Sequence, residues 1–282
     1  QKRMIKHKQA RNKSKNKTTN EIAELLYDYY YLLLHSAIRV GLEIMRVRFN
    51  SFEYEQVTAL GKVEEKFFSD ADVKEYLVCY LKQNETKTKA SRKVIIRTSS
   101  GAFENALLRI ASRTEKSSDI WNKHNKKNKL KTEKNKRDCL KELFNCDEFV
   151  VRLASEVGVS KLSKAKLEAR NTRLSEQTSK AFMKLLKDIK LYEDKQGNKR
   201  SLYSLRHTYA TELLEETSNG VLVAEQLGNS AVVLDKFYNK AQATSLASAF
   251  VGLANDVKFK SNKKGKQEFM EAMKQVIKDF EG

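Results

Sequence analysis

The chain has 282 residues, with 55 Lys or Arg against 36 Asp or Glu, which gives a formal net charge of +19 at pH 7. This excess predicts a polyanionic partner, most commonly nucleic acid, and not a membrane, because no apolar run approaches the roughly 20 residues that a bilayer-spanning helix needs. The spacing of the three cysteines is not that of a zinc site, and their odd number argues against a disulfide framework. This cysteine usage predicts a reducing cytoplasm.

The first elements along the chain are a basic segment and two helices. Residues 1–20 hold eight Lys or Arg and no acid, which is typical either of a solvated tail or of a linker that tracks phosphates. Thr18 and Glu21 form a capping pair ahead of apolar residues at helical spacing, so we expect a helix to begin there. After a break near residues 35–37, a second short helix follows Arg39. The complete absence of proline also favours a helix-rich fold.

A β-hairpin is predicted over residues 76–97. β-branched and aromatic residues fill its two predicted strands, and a polar turn separates the strands. The turn carries Lys87, with Lys82 and Lys89 close to it in sequence. The expected fold class is therefore mainly α with a small antiparallel β-sheet (α+β).

The middle of the chain combines one poorly patterned stretch with one clear helix. Residues 114–141 are rich in Lys and Asn and predict a surface insertion or mobile loop. Residues 175–190 predict an amphipathic helix that Ser175 caps. Residues 194–198 then predict a turn that leads to Tyr203.

The stretch at residues 201–241 holds the residues most typical of a catalytic site. Tyr203 and Arg206 lie three positions apart ahead of a helical pattern, and the Leu-Gly-Asn-Ser sequence at 227–230 predicts a helix end. Tyr238 follows in a short apolar run between two lysines. A phenol beside lysines in a strongly basic protein suggests chemistry on a phosphate.

The order of these residues resembles the catalytic C-terminal part of the tyrosine recombinases, the phage-integrase family. That family shows a His or Tyr, two residues, an Arg followed by His, a helix, a Leu-Gly-x-Ser turn, and a nucleophilic Tyr about nine residues later. Many members have His or Trp at the position of Asn229. The upstream segment AIRVGLEIMRVRF resembles the first catalytic box of the family, with Arg39 as its arginine. The other matching positions are Tyr203, Arg206, His207, Leu227, Gly228, Asn229, Ser230 and Tyr238.

The resemblance implies that several side chains stabilise the reacting phosphate. Arg39 and Arg206 would neutralise charge on the phosphate oxygens, a role that suits arginine because its planar fork of donors stays charged. Tyr203 and Asn229 would donate hydrogen bonds to the same oxygens. Glu43, four residues after Arg39, is expected to brace that arginine or the start of the helix, and not to react.

The resemblance also implies a nucleophile and a proton donor. Tyr238 would attack the phosphorus and become linked to the 3′ phosphate. Lys87, which lies five residues before Arg92 as in the Lys-x-x-x-x-Arg arrangement of the family, would protonate the leaving 5′ oxygen, with Lys82 and Lys89 as rivals. His207 is expected to be a buried brace near the site. Neither ATP nor a metal cofactor is required by this scheme.

The family pattern implies three segments: the end of a linker from a missing N-terminal DNA-binding region (1–20), a catalytic domain (21–256), and a basic spacer with a docking helix (257–282). The implied function is a site-specific recombinase, or integrase, of a phage or other mobile element, acting on double-stranded DNA in a bacterial cytoplasm. We expect a homotetramer on DNA with exchanged C-terminal segments, or a monomer without DNA. Two alternatives stay open: a type IB topoisomerase-like enzyme, and a non-catalytic basic helical DNA-binding module in which Tyr238 only packs.

Overall fold

The computed structural model describes residues 17–57, 74–86, 90–230, 232 and 234. Within these ranges the chain is mainly helical, with eight α-helices and one small antiparallel sheet, which confirms the expected fold class at that level. The helices are α1 (Lys17–Leu34), α2 (Leu42–Met45), α3 (Ala102–Ser112), α4 (Glu115–Asn125), α5 (Glu133–Leu143), α6 (Lys164–Asp188), α7 (Leu202–Thr217) and α8 (Gly220–Leu227). The strands are β1 (Phe52–Val57), β2 (Lys74–Leu81) and β3 (Arg92–Ile95).

Two parts of the sequence prediction cannot be compared with these elements. The basic segment before Lys17 and the C-terminal part after residue 234 both lie outside the described residues, and with them the docking helix expected in 257–282. None of the described helices is both long enough and apolar enough to cross a bilayer.

Helix α1 forms the centre of the core. Leu25, Tyr29 and Leu33 recur at every fourth position and are at most 2% exposed, and the helix packs against α3, α6 and α7. On the same helix, the buried carboxylate of Asp28 accepts a hydrogen bond from Arg109 at 2.6 Å and contacts Arg113. Because a buried charge is tolerated only when it is paired, these two ion pairs fix α3 in place on α1.

The three strands pair in the order β1-β2-β3, and both pairings are antiparallel. The predicted hairpin of β2 and β3 is confirmed, whereas β1 was not predicted. In the register, Phe52 lies opposite Cys79 and Val78 opposite Ile95. At β3, the side-chain amide of Gln226 from α8 donates to the Ile95 carbonyl at 2.6 Å and accepts from the Ile95 amide at 3.2 Å. Gln226 thereby continues the hydrogen bonding of the sheet and joins α8 to it.

The prediction of a mobile loop over residues 114–141 is wrong. The segment folds into α4, a 3₁₀ turn at Lys126–Lys131, and the first part of α5. Cys139, Leu140 and Leu143 on α5 are all fully buried, so a few apolar residues at helical spacing outweigh the Lys-rich and Asn-rich composition. The Thr132 hydroxyl accepts from the amide of Asn135 at 3.3 Å and thereby caps the helix.

Helix α6 begins at Lys164, eleven residues before the predicted cap at Ser175. Its first half contains buried polar residues where the sequence pattern calls for apolar ones. Arg170 is buried and donates to Glu156 at 2.9 Å through Nε, so its charge is compensated inside the fold. The turn expected at 194–198 is confirmed, because the Asp194 carboxylate accepts from two backbone amides within it.

Candidate active site

The candidate site lies at the C-terminal end of α8. Asn219 caps the start of this helix by accepting from the Leu222 amide at 3.0 Å. At the other end Gly228 has φ +62°, the left-handed conformation that commonly terminates helices and that favours glycine. The predicted helix break at the Leu-Gly-Asn-Ser sequence is therefore confirmed. Beyond the break, Asn229 donates through its backbone amide to the Ala224 carbonyl at 2.9 Å.

Three consecutive backbone carbonyls at this helix end each accept a hydrogen bond from a different arginine. The carbonyl of Gln226 accepts from Arg92 at 2.8 Å, that of Leu227 accepts from Arg206, and that of Gly228 accepts from Arg39. The last carbonyls of a helix lack intrahelical donors and form the negative end of its dipole. The end of α8 thus gathers three guanidinium groups from distant parts of the sequence.

A buried carboxylate joins two of these arginines. Glu43, whose side chain is 2% exposed, accepts from the backbone amide of Arg39 at 2.9 Å and from its guanidinium at 3.2 Å. The same carboxylate forms an ion pair with Arg92. The expectation that Glu43 braces Arg39 agrees with these contacts.

Arg206 lies on the first turns of α7, which begins with a capping box. The Ser201 hydroxyl accepts from the Tyr203 amide at 3.3 Å, and Ser204 accepts from the Ser201 amide at 3.0 Å. Arg206 is only 1% exposed, and it donates to the Ala37 carbonyl as well as to the helix end. Burial, together with the nearby cationic arginines, lowers the pKa of Arg206 to about 10. A phosphate reaches this guanidinium only if neighbouring atoms move.

Tyr203 lies one turn before Arg206 on the same helix, and 41% of it is exposed. Its ring packs edge-on against His207, with the ring centroids 4.9 Å apart. His207 is half-buried, so it is less enclosed than the brace that the sequence suggested. Burial, reinforced by the charge of Arg206, lowers the pKa of His207 below its usual value.

Asn229 is placed beside Arg39. Its side-chain oxygen accepts from the Arg39 guanidinium at 3.2 Å, so its side-chain NH₂ group remains for donation to another acceptor. The motif residues Arg39, Arg206 and Asn229 are therefore brought together around one turn, with Tyr203 nearby on α7.

Among the remaining predicted site residues, the structure describes only Lys82. Lys87, Lys89 and Tyr238 lie outside the described residues. Lys82 is described, and its side chain is exposed at the end of β2, where its backbone amide donates to Glu85 at 2.8 Å.

Arg92 and Gln226 are site residues that sequence reasoning missed. Arg92 entered only as a spacing landmark five positions after Lys87, although its guanidinium lies within the site. Gln226 gave no signal beyond its position directly before the Leu-Gly pair. Both residues contact backbone atoms far away in sequence, and residue type alone does not reveal such contacts.

The charge of the site suits an anion. Three guanidinium groups and one carboxylate leave an excess of two positive charges at the end of α8. Among the residues that the structure describes, no group of three or more His, Cys, Asp or Glu side chains could hold a metal ion. An excess of positive charge carried by arginine donors is the kind of environment that suits an anionic oxygen acceptor.

Comparisons of the chain with protein-family models, with curated proteins and with solved structures found no match in any of the three.

Proposed function

We propose that this chain is a site-specific DNA recombinase that cleaves and rejoins strands through a 3′-phosphotyrosine intermediate. One observation carries the proposal beyond the motif itself. Arg39 and the Gly228 carbonyl that it contacts are 189 residues apart in sequence, and the adjacent carbonyl contacts Arg206. The two arginines that the motif assigns to one phosphate thus meet at the turn that the same motif contains.

The proposed reaction needs two neutralising cations, a nucleophile and a proton donor. The phenol of Tyr238 loses its proton and its oxygen forms a bond to phosphorus while the bond from phosphorus to the 5′ oxygen breaks. The leaving oxygen takes up a proton, so one proton is released and one is gained. By the family resemblance, Lys87 supplies that proton. Arg39 and Arg206 stabilise the negative charge that builds on the non-bridging oxygens in the transition state. Attack by the freed 5′ hydroxyl of a different strand then restores the DNA backbone and releases Tyr238.

The exposed face of α6 supports a DNA partner. Five cationic residues follow one side of this helix at spacings of seven, seven, four and three residues, which keeps them within one face of an α-helix. The face extends over about 30 Å at the usual helical rise. We propose that this α6 basic face follows the phosphate backbone of the duplex. Its members are Lys166, Arg173, Lys180, Lys184 and Lys187.

Recombination between two duplexes requires four strand cleavages, so the proposal includes four subunits assembled on DNA. The C-terminal segment 257–282 is the proposed contact between neighbouring subunits. Light scattering with and without the DNA site would measure the change in assembly.

Covalent capture tests the proposed function and identifies the target sequence in the same experiment. The purified chain is incubated with nicked fragments of the genome that encodes it, the mixture is denatured, and DNA that stays attached to protein is sequenced. The expected result is an adduct on one recurring sequence that the Tyr238→Phe variant does not form. Wild-type protein that binds this DNA but forms no adduct would leave the DNA-binding module as the better description.

Strand exchange separates the two enzymatic readings. A recombinase joins strands from two captured sites, whereas a topoisomerase-like enzyme relaxes supercoiled plasmid as a monomer. The Arg206→Ala variant is expected to lose cleavage and to keep most of its DNA affinity, since many other cations contribute to binding. Equal losses of affinity and cleavage would contradict the role given to Arg206.

Salt dependence tests the α6 basic face. The double variant Lys166→Ala/Arg173→Ala is expected to lower the slope of log affinity against log salt by about 2, because each lost phosphate contact contributes about 1. The control double variant Lys131→Ala/Lys134→Ala removes two exposed lysines near the start of α5. If the two double variants change the slope equally, the α6 face has no special role.

A further inference from the structure

Arg92 lies at the start of β3 and has no part in the proposed chemistry. We propose that Arg92 is a positioning residue, which holds the Glu43 carboxylate and the end of α8 so that Arg39 and Arg206 converge. The expected loss of cleavage in Arg92 variants rests on the proposed function, whereas the expected displacement of Arg39 and Arg206 does not.

The guanidinium of Arg92 connects three separate segments. Nη1 donates to the carbonyl of Gln226 at the end of α8 at 2.8 Å, and Nη2 donates to the carbonyl of Ala37 at 3.2 Å. Nη2 also forms the ion pair with Glu43 on α2. The planar fork of arginine reaches all three acceptors at once, which the single ammonium of a lysine cannot do in the same geometry.

The acceptors of Arg92 are also those of the two proposed catalytic arginines. The Glu43 oxygen that pairs with Arg92 accepts from the backbone amide of Arg39 at 2.9 Å. The Ala37 carbonyl accepts from both Arg92 and Arg206. Displacement of Arg92 is therefore expected to move the hydrogen-bond acceptors of Arg39 and of Arg206.

The glycine at the helix end provides the space for Arg92. A Cβ atom on Gly228 would lie 2.9 Å from Cδ and 3.0 Å from Nε of Arg92. The stem of the arginine therefore lies directly against the Gly228 backbone. The Leu-Gly pair of the motif then serves two purposes, since glycine permits the left-handed turn and the close approach of the arginine.

Arg92 is directed into the protein and not toward a ligand. Its side chain is 9% exposed, and the acceptors of its two terminal nitrogens belong to the chain itself. Its replacement is therefore expected to leave DNA affinity nearly unchanged and to slow the chemical step. Misplacement of catalytic groups by about 1 Å costs on the order of 100-fold in rate.

The first measurement compares Arg92→Lys with the matched variant Arg97→Lys on the captured DNA site. Arg97 follows β3 and pairs with Glu212 and Glu216, both at 2.9 Å, away from the site. Single-turnover cleavage by Arg92→Lys is expected to fall about 100-fold with DNA affinity within about twofold of wild type, while Arg97→Lys cleaves normally. Cleavage at the wild-type rate by folded Arg92→Lys would overturn the proposal.

The second measurement does not depend on cleavage. The Nε–H signals of Arg39 and Arg206 in nitrogen-15 NMR spectra are expected to shift in Arg92→Lys and to stay in place in Arg97→Lys. If wild-type protein forms no adduct, the recombinase proposal fails, and these signals alone decide the positioning role. Unshifted signals in Arg92→Lys would overturn it.

A further variant covers the case in which Arg92→Lys does not fold. Gly228→Ala displaces the stem of Arg92 without removing its charge. Its single-turnover cleavage and its arginine Nε–H signals are measured in the same way. Normal cleavage and unshifted Arg39 and Arg206 signals in Gly228→Ala would refute the positioning role.

Discussion

The Glu43→Gln variant tests the electrostatic basis of the site by removing one charge with almost no change of shape. The Glu43 side chain is 2% exposed, and its partners Arg39 and Arg92 are 11% and 9% exposed, so solvent screens these pairs little. Removing one partner of a buried pair typically costs about 3–5 kcal/mol. The glutamine oxygen can still accept from the Arg39 amide, so the expected decrease in the free energy of unfolding is about 3 kcal/mol, at the lower end of that range.

Urea unfolding at pH 7 measures this loss as a lower midpoint with an unchanged slope. The matched control is Glu142→Gln, which removes a partly exposed carboxylate that contacts Lys123 at 2.9 Å and His124 at 2.7 Å and is expected to cost less than about 1 kcal/mol. A Glu43→Gln loss no larger than that of the control would refute the reasoning, because it would show that the arginines are stable together without a counter-charge.

Three further predictions concern backbone conformation, pH and cysteine reactivity. Gly228→Ala is expected to cost at least about 1 kcal/mol more in urea unfolding than Gly197→Ala, because both have positive φ but only the former meets Arg92; equal losses would contradict the close approach. The folded-state pKa of His207 lies below its unfolded value, so its contribution to stability is complete above about pH 6.5 and is lost as the pH falls through the lowered pKa. His207→Gln should therefore flatten the decrease in the urea midpoint between pH 7 and 5, and an unchanged decrease would exclude this residue as its cause. All three cysteines are buried and burial raises their thiol pKa values, so a thiol reagent should label them only after unfolding, and rapid labelling of the native chain would be inconsistent with this packing.

The sequence predicts those parts of the fold in which local pattern and tertiary packing agree. Helix α1 and the β2–β3 hairpin fall into this group. Strand β1 was missed although its sequence alternates, with Phe52 buried and Glu53 exposed, because the run is short and rich in acids. The beginning of α6 was missed for a different reason: Arg170 and Asn171 occupy buried positions there, and only tertiary partners make such positions favourable.

The candidate site divides in a similar way. The motif spacing predicted Arg39, Arg206 and Asn229 as site residues. In the structure all three meet at the C-terminal end of α8. The same reasoning treated Arg92 as a landmark, because an arginine in a strand of a strongly basic chain is ordinary by type. Its importance comes from three acceptors on three segments, a property of the fold and not of any local pattern.

The end of α8 also explains how three mutually repulsive arginines stay together. Neutral carbonyls of Gln226, Leu227 and Gly228 hold the three guanidiniums in place, and one carboxylate cancels only part of their charge. Hydrogen bonds to a charged oxygen are roughly twice as strong as those to a neutral one. Under the proposed function, a phosphate would exchange these carbonyl contacts for charge-assisted ones once the atoms that cover Arg206 have moved. A carboxylate for every arginine would instead cancel the positive charge of the site, so the use of neutral acceptors orders the arginines and keeps their net charge.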